Sequence, residues 1–115
     1  MRNELSKSDW KHFKAIREVA LERLCARILD NVCETASDKT KTSHERFLAV
    51  YQLVNDSNRD VARGFDFLSR SRMFLQLVSM QQMNLIEQTE VEGFSEEVRQ
   101  QLARFDGLNW FIPRR

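Results

Sequence analysis

Residues 73–86 read Met-Phe-Leu-Gln-Leu-Val-Ser-Met-Gln-Gln-Met-Asn-Leu-Ile, with nine apolar side chains and no charge among the fourteen. Wound as a helix at about 100° per residue, the apolar positions spread around the whole circumference instead of gathering on one face. A helix that is apolar all round has to be covered all round. The chain must therefore build a buried junction over this segment.

The rest of the composition says what kind of chain builds it. Three Gly and one Pro, the latter at position 113, are too few for the turns of a β-rich fold of 115 residues, so the expected class is all-α in a single domain. The formal net charge of +1 comes from nearly equal numbers of acids and bases, which argues against a strongly electrostatic nucleic-acid binder. The first residues carry no apolar h-region, and no apolar run approaches the ~20 residues of a membrane-spanning helix. Cys25 and Cys33, eight apart on one predicted helix, lie about 12 Å apart, too far for a disulfide between them. Two free thiols suit a reducing compartment, and the expected location is the cytoplasm.

Periodicity predicts a first helix over about 9–36, with an apolar stripe through Trp10, Phe13, Ile16, Ala20, Leu21, Leu24, Cys25, Ile28 and Val32. The polar segment 35–43 reads as a loop between antiparallel neighbours. Thr42-Ser43-His44-Glu45 is a capping-box pattern that opens a second helix. Its stripe runs through Phe47, Val50, Tyr51, Val54, Val61, Ala62, Phe65 and Leu68. Asn55-Asp56-Ser57-Asn58 is poor in helix propensity and marks a potential break near 55–58. The seven-residue phase nevertheless continues through it, which predicts one helix over about 43–86 with Asn58 on the seam, in the manner of a coiled coil. Ser95-Glu96-Glu97 opens a short third helix over about 95–105, followed by Gly107 and an apolar tail at 108–115.

These lengths carry a structural expectation. A first helix of ~42 Å and a second of ~66 Å, packed as an antiparallel hairpin, leave an overhang of ~24 Å, and the overhang is the all-round apolar stretch. Exposed, it would put several hundred Å² of apolar surface in water. The short third helix covers one side, and the Trp110-Phe111-Ile112 tail folds over more or serves as a docking peptide for another protein. A homodimer completing a four-helix-bundle-like core covers the remainder. Phe74, Leu77, Val78, Met80, Met83 and Leu85 are the candidate interface residues, with the methionines suited to an adaptable contact.

Candidate chemistry is sparse. Asp9-x-x-His12 sets two metal-ligand types one turn apart, but nothing nearby completes a site, and no Glu-x-x-His occurs. The other histidine, His44, opens the second helix, and both read as solvated. There is no Gly-rich phosphate loop and no Gly-x-Ser-x-Gly elbow. No cofactor, metal or catalytic residue is expected. Lys7, Lys11 and Lys14 form one basic strip beside Trp10 and Phe13, and Arg59, Arg63 and Arg70 form another. They are the candidates for a nucleic-acid contact, although Asp56, Asp60 and Asp66 interleave the second strip. Arg17 falls inside the first helix's apolar stripe, where it either snorkels or meets a carboxylate or Asn58 across the seam. The expected function is a small non-enzymatic interaction or adaptor protein acting through helical surfaces and self-association. The alternative is a nucleic-acid-associated accessory protein.

Overall fold

The computed structural model describes residues 6–66 and 68–106. The described residues are helical and contain no strand: α1 (Lys7–Ala36), α2 (Ser43–Phe65), a 3-10 turn (Arg70–Arg72), α3 (Met73–Gln82), α4 (Gln88–Val91) and α5 (Glu96–Asp106). The molecule is elongated, 57 × 26 × 22 Å. Gly107, the 108–115 tail and its Trp110-Phe111-Ile112 segment lie outside the described residues.

α1 and α2 form the antiparallel hairpin that the two stripes predict. Ser6 caps α1, its hydroxyl accepting the Asp9 N–H at 3.0 Å. The expected capping box opens α2: Thr42 Oγ1 accepts the Glu45 N–H at 3.1 Å and Glu45 Oε1 accepts the Thr42 N–H at 2.9 Å. In the connecting loop, Asp38 Oδ1 accepts from the Thr40 N–H and hydroxyl at 3.0 and 2.6 Å. Those bonds hold the Asp38 carboxyl below the usual range. Arg46 reaches across the loop to donate to the Ala36 carbonyl at 2.7 Å. α2 runs unbroken through Asn55–Asn58, where Gln52 donates to Asp56 at 3.0 Å along the helix.

The second helix does not reach 86. It ends at Phe65, and the chain doubles back through the 3-10 turn into α3. The cause is local. The Arg17 guanidinium donates to the Phe65 carbonyl and sits 5.6 Å from the Phe65 ring centre, so α1 caps the end of α2. This also settles Arg17, whose partner is a helix-terminal carbonyl, not Asn58. Gln76 donates to the Asp66 carbonyl at 2.9 Å, tying α3 to the turn it has just left. Gly64 removes a side chain where α3 returns: a Cβ there would meet Met83 Cε at 3.1 Å.

The overhang therefore does not exist. The apolar segment is largely covered by its own chain, in the groove between α1 and α2 and under α5, with Leu75 alone of its apolar residues left exposed, at 66%. Leu77, Val78, Met80 and Leu85 are buried, and Phe74 and Met83 are half-buried. Phe74 packs edge-on against Phe105 of α5, with ring centres 5.6 Å apart. The core joins these to Phe13, Ala20 and Leu24 of α1, Phe65 of α2, and Val98 and Leu102 of α5. Each fully buried Leu or Phe contributes about 1.5–3 kcal/mol over exposure. α5 replaces the expected third helix almost residue for residue, and its two acids in the first turn suit the helix dipole.

α3 ends in a Schellman motif. Asn84 takes a left-handed φ of 62°, its N–H bonds to the Gln81 carbonyl at 3.0 Å, and the Leu85 N–H bonds to the Met80 carbonyl at 2.9 Å. The returning chain then lies along α1, hung from polar side chains. Arg27 donates to the Met83 and Asn84 carbonyls at 3.1 and 3.3 Å, and Arg23 to the Leu85 carbonyl at 2.8 Å. His12 Nε2 bonds the Glu90 carbonyl at 2.7 Å, and its ring stands edge-on to Phe94. Asp9 takes Ser95 at the start of α5.

Candidate interaction surface

The described C-terminal elements all gather on one end of the hairpin, and no described element lies over the other. Between Leu24 and Gly64 no residue is buried. The α2 stripe shows the change along a single face. Phe65 stands eighteen residues after Phe47, about five full turns, so the two share a direction. Phe65 is buried under α3, whereas Phe47 is 66% exposed. Tyr51, at 60% exposed, and Val54 lie between them on the same face. Asn58 and His44 lie within about 60° of that line, and no charged side chain of α2 does. All α2 charges, Glu45, Arg46, Asp56, Arg59, Asp60 and Arg63, point elsewhere on the helix.

On α1 the same face of the hairpin carries Arg27, Asn31 and Glu34, all exposed, with Ile28 and Thr35 half-buried at its edge. The bare end thus presents an aromatic-aliphatic line on one helix and a polar line with both charge signs on the other. Leu29 and Leu48 are also exposed but fall on other faces. A two-helix layer has no interior of its own, and such layers are stable when a further layer closes them. Sequence periodicity assigned Phe47, Tyr51 and Val54 to the interior, whereas the structure leaves all three exposed. The available signal was length: the stripe from Phe47 to Leu68 is longer than the ten- or eleven-residue helices that could lie over it.

The six residues expected at an interface, Phe74, Leu77, Val78, Met80, Met83 and Leu85, are brought together by the fold in the chain's own core. The two basic strips fare differently. Lys7, Lys11 and Lys14 are exposed and aligned on one side of α1, with Lys14 Nζ 5.4 Å from the Trp10 ring centre. Arg59 and Arg63 pair with Asp56 and Asp60 on their own helix, at 3.8 and 3.2 Å, while Arg70 belongs to the 3-10 turn beyond it. Those ion pairs dilute the field that a phosphate would meet.

His12 is a structural donor or acceptor in the fold, not the solvated side chain that its position suggested. The described residues contain no group of three or more His, Cys, Asp or Glu placed to hold a metal. Cys25 is half-buried and Cys33 exposed, and both are free. The strongest electrostatic feature is Arg23 with Glu90, a two-pronged pair at 2.8 Å on both arms. The hydrogen bonds from Arg23 hold the Glu90 carboxyl below its usual range against the opposing effect of burial, and Glu90 raises Arg23 in turn. Glu90 also accepts the Glu87 N–H at 2.8 Å, so its role is to close α4 onto α1. Among the described residues no helix is long and apolar enough to cross a membrane.

Comparison with protein-family models, with curated proteins and with solved structures finds no match to this chain.

Proposed function

We propose that this chain is a small, non-enzymatic interaction module of the cytoplasm that works through helical surfaces and self-association. The observation that carries the reading is the bare end of the hairpin, where Phe47, Tyr51 and Val54 continue the line of the buried Phe65 with no described residue laid over them. Aromatic side chains held on a rigid helix are effective anchors, because little conformational freedom is lost when a partner covers them. The surface that does this work is the hairpin end, not the 73–86 segment. That segment acts indirectly, by fixing the hairpin to a folded base.

The test is site-specific photocrosslinking in the cells that make the protein. A benzophenone amino acid at position 51 is expected to give discrete protein adducts, and the same group at position 11 is not. Adducts at position 11 alone, or none at position 51, would remove the hairpin end from consideration as the working surface.

A further inference from the structure

We infer that the occupant of the bare hairpin face is a second copy of this chain, packed antiparallel about a two-fold axis that passes beside Asn31 and Tyr51; the inference rests on the interaction-module reading above. The hairpin register sets the geometry. Arg17 bonds the Phe65 carbonyl and Arg46 the Ala36 carbonyl, which sets Asn31 within about one helical turn of Tyr51 along the hairpin. On α2 the face is lined by Phe47, Tyr51 and Val54, and on α1 by Arg27, Asn31 and Glu34. Both lines have the same spacing, with the outer members four residues before and three residues after the central one.

That spacing makes the face complementary to itself. An in-plane two-fold axis lays α1 on the other α1 and α2 on the other α2, running in opposite directions. Each Arg27 then comes opposite the other copy's Glu34, and each Phe47 opposite the other copy's Val54, to within about one helical turn of 5.4 Å. Tyr51 meets its own copy at the axis. One helix pair supplies two symmetry-related ion pairs and the other an uncharged aromatic-aliphatic seam. Arg27 uses only part of its donor set on the Met83 and Asn84 carbonyls. The level-matched alternative, with α1 of one copy on α2 of the other, brings the two α3–α5 units against each other on the same face and is blocked. In the antiparallel arrangement each unit abuts the end of the other copy's hairpin and extends the groove that α3 already fills.

The area is sufficient for a modest dimer. The bare face is about 24 Å long and 20 Å wide, so both copies contribute on the order of 1,000 Å², at the lower end of specific interfaces. Micromolar association, common for weak interfaces of this size, sets the concentration range to search.

The experiment is multi-angle light scattering and sedimentation of the full chain across 1–200 µM, taken as about two decades around that affinity. The wild type is expected to move from monomer to dimer. Tyr51→Glu should weaken the dimer more than tenfold with helicity by circular dichroism unchanged, because the site is exposed in the monomer. Arg27→Glu should weaken it at least fivefold, and Arg27→Glu combined with Glu34→Arg should return it to within about twofold of wild type. A wild type that stays monomeric at every concentration overturns the second copy as occupant, while the photocrosslinking at position 51 judges the interaction reading separately. A dimer indifferent to Tyr51→Glu, or a charge swap that fails to restore it, overturns the antiparallel register.

Discussion

Asp9 holds Ser95. Its carboxylate accepts both the Ser95 N–H and the Ser95 hydroxyl at 2.8 Å, joining the first turn of α1 to the first turn of α5 across 86 positions of sequence. Asp9 is almost fully buried, and its helix's own cap, Ser6, leaves its oxygens free for this bond. The Ser95 hydroxyl in turn accepts the Val98 N–H at 3.4 Å, so one carboxylate orients the whole cap of α5.

Removing that carboxylate takes away the partner of both the Ser95 N–H and hydroxyl and leaves a gap at the buried Asp9 position. Asp9→Ala is expected to cost about 2–3 kcal/mol, and Ser95→Ala about 1 kcal/mol. The double variant should cost less than the two single losses added together. Urea unfolding of the four proteins measures the coupling. Strict additivity would show that the two side chains do not share an interaction.

The Arg23–Glu90 pair makes a pH-dependent contribution whose direction is fixed. The folded-state carboxyl of Glu90 titrates lower than in the unfolded chain, so the folded form binds its proton less readily. The stabilisation is fully present above the unfolded-state value of about 4.3 and is lost as pH falls through the lower folded-state value. Glu90→Gln should therefore cost about 1–3 kcal/mol at pH 7. The gap to wild type should close in strong acid. Thermal melts of both proteins from pH 7 to pH 2, the span of about two carboxylate titrations, report it. A gap that stays constant over that range would rule out the ion pair as its source.

Asn84 occupies the one left-handed position recorded among the described non-glycine residues. Asn84→Gly is expected to be neutral or stabilising by a few tenths of a kcal/mol, whereas Asn84→Val should cost about 1–2 kcal/mol from backbone strain. Melting temperatures of the pair decide the matter. Equal values would mean that the turn after α3 tolerates another conformation.

Two glycines should respond differently to alanine. A Cβ at Gly93 would stand 2.4 Å from His12 Nε2, which must then leave the Glu90 carbonyl it bonds at 2.7 Å. Gly93→Ala is expected to lose about 1–3 kcal/mol, and much of that loss should already be present in His12→Ala, making the two changes non-additive. At Gly64 the nearest atom is the flexible end of Met83, at 3.1 Å. The helix-propensity gain of about 1 kcal/mol there offsets the crowding, so Gly64→Ala should change stability little. Denaturant midpoints for the two alanine variants give the comparison.

The elements that local rules govern were legible in the sequence. The Thr42–Glu45 capping box, the start of α5 at Ser95 and the extent of α1 all follow from nearest-neighbour chemistry and a clear stripe. The turn at 66–72 was not, because the seven-residue phase carried straight on past Gly64 and Phe65. What breaks it is tertiary: Arg17 on the Phe65 carbonyl and the close return of α3. Once that turn is made, the apolar segment and the stripe exchange roles. The apolar residues of 73–86 other than Leu75 go inside, and Phe47, Tyr51 and Val54 stay outside. The rule that an all-round apolar helix must be covered held, but it does not say by which chain. Asp9, His12, Arg23 and Arg27 could be seen as polar positions on α1, yet their partners lie 56–86 residues away and several are backbone atoms, which no pattern announces.

The hanging of residues 83–95 from α1 also sets an order of events during synthesis. Translation delivers α1 and α2 first, at about 5–20 residues per second, and the hairpin closes through a short loop whose ends are quickly found. Asp9, His12, Arg23 and Arg27 must then wait, hydrated, until the last third of the chain has emerged. The N-terminal helix is therefore a template that is read late. Its final closure is a long-range step, slow relative to the hairpin, and the nascent chain passes through a stage in which the groove for α3 stands open along its whole length.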